Sequence, residues 1–441
     1  MEGAGFHPAR ENEAQPEELL SRASAAGIAE EEKTQGHGLG SPEAVVEAGR
    51  RLARGHVNAE DDRRREEERN ARDEDQVHAE RRGAHPQPLT RRRPERDRAG
   101  FERPLVRCAR VIPRRDALAF LRRFVLAPKV ELHLHLEGAV RAAALVRLSS
   151  RSLDPIFPDL AAVRARRRAL GSKEAFFGFY RDVCRQLRSP ADYALVARGL
   201  VSRLARENVR WAEVTVSPAV VEKIGLDWFD VVDSLERVFA EHERKGRGRV
   251  RILLDLVRHW GPASAARVLD LHAERPWRRV VGFGLGGDET AHTASDFQDV
   301  YRRGRKAGLL PIVHAGEWAG PESVADALRF LEPVRIAHGI RAVEDPALLK
   351  ALVKKGVVCD VCPTSNLRTG AVSRGETHPL RRMLLAGVSV TLSTDDPGLF
   401  GTTLAGEYRR AASWGATGAE LSRCAAVARQ AAARTRSYSA T

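Results

Sequence analysis

The amino-acid sequence predicts an α/β fold: a closed (β/α)8 barrel of the TIM type with extra helices, preceded by a disordered N-terminal arm. Three observations lead there. Eight strand candidates alternate with helical stretches from about residue 116, and repeated βα units imply a parallel sheet that eight such units close. Histidines and carboxylates recur where those strands end, the rim on which such barrels carry their active sites. Residues 1–115 show neither pattern.

Those first 115 residues are rich in Glu, Arg, Ala and Gly and poor in aromatic and β-branched residues. Asp61-Asp62-Arg63-Arg64-Arg65-Glu66-Glu67-Glu68-Arg69 is typical, as is Arg91-Arg92-Arg93-Pro94-Glu95-Arg96-Asp97-Arg98. Such a segment buries too little apolar surface to offset its ordering entropy, so a disordered charged arm is expected over 1–115. A nucleic-acid-binding role for it is the lesser alternative, weakened by the acidic residues that interrupt the basic ones. The whole chain has 441 residues, 43% of them hydrophobic, which supports one large barrel over 116–441. The net charge of +14 comes largely from arginines spread through ordinary helices. It is weak support for an anionic partner.

Five cysteines, Cys108, Cys184, Cys359, Cys362 and Cys424, are too few and too uneven for a disulfide framework. No apolar run is long enough to span a bilayer, and residues 1–15 have no apolar segment of signal-peptide type. A reducing cytoplasm is the expected location. The sequence is silent on oligomeric state.

The first strand, 130–136, alternates polar and apolar residues and ends at Gly138. Side chains two apart on a strand share a face, so His133 and His135 project together. Helices are expected over 173–187 and 191–207, strand over 211–216, and helix over 228–245. The last carries Val231, Val232, Leu235, Val238 and Phe239 on one stripe. Strands follow at 250–256, 280–285 and 311–314, with helices at 263–274 and 296–306 between them. A helix over 321–331 repeats Val324, Ala327, Leu328 and Leu331 at helical spacing. After a short strand at 335–337, Asp345 caps a helix with Pro346 first inside and Gly356 just past its end. Strand 357–361, helix 379–385, strand 388–393 and two terminal helices complete the series.

The strand ends test the barrel. His133 and His135 end one; His314-Ala315-Gly316-Glu317 ends another; His338-Gly339 the next; Thr394-Asp395-Asp396-Pro397 the last. Unpaired charges in apolar strands are costly. One such residue is usually a satisfied core group, but the whole set points to a metal site. Three histidines and an aspartate suit zinc or a similar divalent ion with a position left for water, whose pKa the ion lowers to about 7.

These motifs carry a resemblance. Residues 128–435 resemble the adenosine deaminase family of metal-dependent amidohydrolases. The match rests on Pro128-Lys129-Val130-Glu131-Leu132-His133-Leu134-His135-Leu136-Glu137-Gly138, Gly286-Gly287-Asp288-Glu289, His314-Ala315-Gly316-Glu317, Ala337-His338-Gly339, Cys362-Pro363-Thr364-Ser365-Asn366 and Ser393-Thr394-Asp395-Asp396-Pro397. The resemblance implies hydrolytic deamination of a purine nucleoside, adenosine to inosine and ammonia. It implies one Zn2+ per chain, held by His133, His135, His314 and Asp395. It implies that Glu317 protonates the ring at N1 and that His338 orients the attacking water. Asp396 would lie near N7, the Gly287 N–H near N3, and Glu137 on the sugar side, with His135 also against the substrate. These roles make chemical sense. Attack at C6 builds negative charge on the ring nitrogen, which needs an acid there, and a glutamate in that role needs a raised pKa.

Two departures bear on the substrate. Mammalian-type members carry Asp where this chain has Glu137, and usually Arg where it has Thr215. Both changes are similar to bacterial branches that include the aminodeoxyfutalosine deaminases of menaquinone biosynthesis, so a 5′-modified adenosine is the alternative substrate. Other motifs fall away. Gly282-Phe283-Gly284-Leu285-Gly286-Gly287 fits a dinucleotide fingerprint, but an acidic loop follows it instead of a helix. Those glycines let a flat base approach the backbone. Cys359-Asp360-Val361-Cys362 has no second pair, and the spacing sends its thiols to opposite faces of a strand. Val358, not proline, precedes it, and His135-Leu136-Glu137 lies more than two hundred residues away, so the cytidine-deaminase signature fails too.

Overall fold

A computed structural model describes residues 114–373 and 375–438, all within one compact unit, Glu102–Thr441. The arm expected over 1–115 lies outside the described residues up to 113, as does Cys108. Eight strands form a single sheet in chain order: β1 (Lys129–His135), β2 (Val209–Val216), β3 (Arg249–Asp255), β4 (Val280–Gly284), β5 (Leu310–Ala315), β6 (Arg335–His338), β7 (Val358–Val361) and β8 (Ser389–Leu392). Every neighbouring pair is parallel. Just past β8, Asp395 bridges to Leu134 of β1, and the His135 N–H donates to the Asp395 carbonyl at 2.9 Å. That bridge closes the barrel, as the eight βα units require.

The helices follow the periodicity of the sequence with one-turn differences at their ends. α1 (Arg115–Leu126), not singled out from sequence, buries Ala117, Leu121 and Phe124, and the Phe124 ring packs against that of Tyr408, centroids 4.0 Å apart and planes tilted by 34°. α2 (Lys173–Cys184), α3 (Pro190–Arg206) and α4 (Trp228–Arg244) begin at Ser172, Ser189 and Asp227, whose side chains accept from backbone N–H groups. α4 buries its whole Val231–Phe239 stripe. The single helix expected over 321–331 is instead α5 (Pro321–Asp326) followed by a π-turn, Ala327–Leu331, although all four apolar residues are buried as expected. α6 (Pro346–Lys355) has the Asp345 cap, the Pro346 start and Gly356 at φ 65°. α7 (Leu404–Ser413) precedes α8 (Gly418–Tyr438), which packs against α1, β1 and β8. Ala428, Ala431 and Ala432 of α8 cover Leu132 and Trp211 at the start of the barrel strands. Among the described residues, no helix is long and apolar enough to cross a membrane.

Below the site the barrel interior is ionic. Arg335 of β6 bridges Glu213 of β2 at 2.6 Å and Asp360 of β7 at 2.9 Å, all nearly inaccessible. Glu131 of β1 takes Arg203 at 2.9 Å and the Thr394 hydroxyl. Thr435 of α8 donates to Glu213 at 2.7 Å. Buried charges persist only where they are paired like this.

Candidate active site

Each expected ligand stands at a strand end. His133 and His135 share one face of β1, and both Nε2 atoms approach Asp395 Oδ1, at 3.2 and 3.4 Å. His314 comes from β5, its ring 4.9 Å from that of His133. One ligand atom from each of His133, His135, His314 and Asp395 can be chosen so that all four lie within 4.8 Å of one another. Buried His133 Nε2 makes no well-aligned hydrogen bond and faces only the Asp395 carboxylate. Burial and the neighbouring imidazoles push His314 well below the ordinary histidine range, so it is neutral and its lone pair is free. Burial works against ionising Asp395, yet His133, His338 and His135 hold it well below the carboxylate range. A neutral His314, an ionised Asp395 and the convergence of His133 and His135 on one carboxylate oxygen fit a divalent ion.

Asp395 and His338 have φ values of 62° and 65°, the left-handed region that costs a non-glycine residue about 1–3 kcal/mol. In Asp395 this conformation accompanies hydrogen bonds of its backbone to His133 and His135, while the carboxylate faces the histidines.

Facing the cluster are the groups expected to handle the substrate. Glu317 is buried, and its carboxyl is pushed well above the usual range by burial, then by Asp395, Glu289 and Asp396. That direction is the one the expected role of acid requires. His338 Nε2 lies 3.4 Å from Glu317 Oε2 and 3.7 Å from Asp395 Oδ2. Burial and then Asp395 and Glu137 raise Asp396 as well, making it a donor suited to an acceptor-only ring nitrogen. Its carboxyl packs on Gly138, where an added Cβ would fall 1.7 Å from Asp396 Oδ1; no other residue fits. Gly287, at φ 92°, brings its backbone to the cavity wall.

A cavity of about 620 Å³ joins these groups, with His135, Gly287, His314, Glu317, His338, Asp395 and Asp396 in its lining. Outward it is walled by Phe176, Phe177, Trp260 and Trp318, with Arg181, Arg185 and Lys223 near its edge. Glu137, expected on the sugar side, stands just behind the cavity wall. It is wholly buried and absent from the lining; its carboxyl accepts from the Tyr180 hydroxyl at 3.4 Å and the Ser217 N–H at 3.3 Å, both cavity residues. Burial raises it to about 7.

Sequence reasoning missed the residues that hold these groups still. Glu289 accepts from the N–H groups of Gly316, Glu317 (3.0 Å), Trp318 (2.9 Å) and Ala319 (3.1 Å), clamping the turn that presents Glu317. Asp255 ties the ends of three strands, accepting from the Ser217 hydroxyl at 2.7 Å and the N–H groups of Gly286 and Val257 at 3.0 and 3.3 Å. The Arg258 guanidinium donates to the His314 carbonyl at 2.9 Å. Glu289 was visible as part of a motif, but its partners lie 27 to 34 residues away. Cys359 and Cys362 are free thiols in different surroundings: Cys359 Sγ would meet a Cβ on Gly339, and Cys362 Sγ is 3.6 Å from His133 Nδ1.

Known proteins resemble this chain. The family described as adenosine deaminase matches residues 128–437. An adenine deaminase from Sinorhizobium fredii is 37% identical over 285 residues, 64% of this chain and 87% of the relative. An aminodeoxyfutalosine deaminase from Streptomyces avermitilis is 35% identical over 287 residues, 65% of this chain and 80% of the relative. The crystal structure of a zinc-bound amidohydrolase from Burkholderia ambifaria superposes with a TM-score of 0.66 at 27% identity, covering 76% of this chain and 95% of that one. With the barrel, the histidine–aspartate cluster and the acid facing it, this places the chain in the adenosine deaminase family of hydrolytic deaminases.

Proposed function

We propose that the chain hydrolyses the 6-amino group of a purine nucleoside, adenosine or a 5′-modified adenosine, and releases ammonia. The cavity carries this reading: at about 620 Å³ it is lined by the acid and the histidine cluster and also by Phe176, Phe177, Tyr180, Trp260 and Trp318, an apolar lining suited to a purine ring with an N9 substituent. A divalent ion, taken to be zinc, bound by His133, His135, His314 and Asp395 would supply the acidified water that such chemistry requires.

The chain's own residues do the rest. The Gly287 N–H donates to N3 and the Asp396 carboxyl to N7, fixing the ring in its plane. Glu317 gives its proton to N1 as oxygen adds to C6, so the ring becomes a neutral tetrahedral adduct instead of an anion. The Glu317 carboxylate left by that transfer takes the proton of the C6 hydroxyl and hands it to N6, so the C6–N6 bond breaks with ammonia as the leaving group and the ring becomes the 6-oxo purine; Glu317 regains its acid proton from the next water bound. Glu137 acts from behind Tyr180 and Ser217, shaping the sugar end of the cavity without touching the ring.

Deamination of free adenine is the second reading, favoured by the name of the Sinorhizobium fredii relative. A substrate panel separates the two. Adenine, adenosine and 5′-modified adenosines are offered to the metal-loaded enzyme, and loss of the adenine absorbance band is followed. The nucleosides should have the higher kcat/KM. Rapid turnover of adenine with none of adenosine would overturn the nucleoside reading and leave the reaction type intact.

A further inference from the structure

A chain of side chains runs outward from His338, and its proton positions can be assigned from one fixed point. The Leu380 backbone N–H can only donate, and it points at His378 Nδ1 at 3.0 Å. His378 Nδ1 is therefore an acceptor and carries no proton. The remaining ring proton lies on Nε2, which faces Asn366 Oδ1 at 3.2 Å. The carboxamide is thereby oriented, and its Nδ2 faces His338 Nδ1 at 3.0 Å. An amide N–H donates, so His338 Nδ1 is also an acceptor, and the single proton of a neutral His338 sits on Nε2.

All three side chains are buried: Asn366 at 0% exposure, His338 at 1% and His378 at 3%. Water does not compete for these bonds. His378 is held flat against Trp414, ring centroids 4.5 Å apart and planes 12° from parallel. Asn366 is fixed through its backbone, which donates to the Cys362 carbonyl at 3.0 Å and accepts from the Val372 N–H at 2.8 Å. Nothing in the site chemistry above uses Asn366 or His378.

We propose that Asn366 and His378 are positioning residues that lock His338 as its Nε2–H tautomer, so that it enters the reaction as a hydrogen-bond donor. Nε2 lies within reach of both Glu317 Oε2 and Asp395 Oδ2, the acid and the ligand beside which the deaminase reading puts the oxygen attacking C6. A ring in this form has no lone pair at Nε2. It cannot take the proton of the attacking water, and it steers that oxygen by donating to it. The proposal rests on the deaminase reading of the site, and only for what the tautomer does.

Nitrogen-15 NMR of the metal-loaded, full-length protein labelled at histidine tests it, with His338→Gln used to assign the ring. The wild type should show a bare, pyridine-type nitrogen at His338 Nδ1 and a protonated one at Nε2. Asn366→Asp replaces the amide donor with an acceptor and should draw a proton to Nδ1. With it kcat should fall on the order of 10²–10⁴-fold at nearly constant KM, comparable to the cost of a wrong histidine tautomer in a serine-protease triad. His378→Phe keeps the stack on Trp414, frees the amide to turn over and should cost roughly tenfold in kcat. A wild-type signal with the proton on Nδ1 would overturn the proposal, even if no variant folds. So would loss of kcat in Asn366→Asp with the tautomer unchanged. Failure of the substrate panel alone would leave the nitrogen signature in place, so the two ideas fail separately.

Discussion

Glu317 must carry a proton that an ordinary glutamate has lost by neutral pH. Burial and the carboxylates of Asp395, Glu289 and Asp396 keep it neutral. The sign of the pH effect follows. The reactive form is the acid, so kcat holds while the pH stays below this raised pKa and falls as the pH rises through it. Stability moves the same way: the unfolded chain releases this proton at lower pH than the folded one, so the contribution is lost as pH increases. Glu317→Gln keeps the shape of the side chain and cannot give the proton. Its kcat should drop by about 10²–10⁴-fold, with binding of a non-hydrolysed purine nucleoside analogue unchanged because the lost interaction matters only in the transition state. The alkaline limb assigned to Glu317 should vanish with it. Near-normal kcat in this variant would remove Glu317 from the role of acid.

At the scale of elements, the strands and the site they carry were largely legible. Val-, Leu- and Ile-rich runs separated by helical stretches marked the eight strands in order, because a sheet buried on both faces selects such runs. The chemistry was legible at their ends because polar residues there have no cheap structural reason. Local signals also placed α6, through Asp345, Pro346 and Gly356. What escaped reading depends on partners distant in the chain. Nothing near Arg335 in sequence says that it bridges Glu213 and Asp360, 122 residues before it and 25 after; nothing near His378 says that it reaches His338 through Asn366. The π-turn Ala327–Leu331 escaped because it keeps the same apolar residues buried. The ionic layer of β1, β2, β6 and β7 has a direct consequence. Arg335→Met leaves Glu213 and Asp360 buried without their cation, which typically costs about 3–5 kcal/mol. Urea unfolding should show a matching drop in midpoint at constant m, and adding Glu213→Gln should recover part of it. A loss below about 1 kcal/mol would mean that water reaches this layer.

For the whole molecule, the closure of the barrel and the metal site are one feature. β8 is four residues long, and beyond it the sheet returns to β1 through the backbone of Asp395, which accepts from His135 and donates to His133. The side chains of the same three residues form most of the candidate ligand set. An ion held there ties the first strand to the last across the seam. Without the ion, several ionisable groups share a small buried volume, and the seam keeps its backbone bonds and the contacts of the Ser393 and Thr394 hydroxyls with β1. A ligand bound only by the folded state stabilises it by about 2.7 kcal/mol at one hundred times Kd and about 4.1 at one thousand. Chelation should therefore lower the thermal midpoint, and zinc should restore it. The loss should be local before it is global: hydrogen exchange at the amides of His135 and Asp395 should quicken on chelation, while the amides between β3 and β4, on the side of the barrel away from the seam in strand order, keep their protection. His133→Ala should start from the chelated midpoint and respond little to chelator. Equal quickening across all eight strands would show that the ion stabilises the barrel without acting through the seam, and an unchanged midpoint would show that closure does not depend on it.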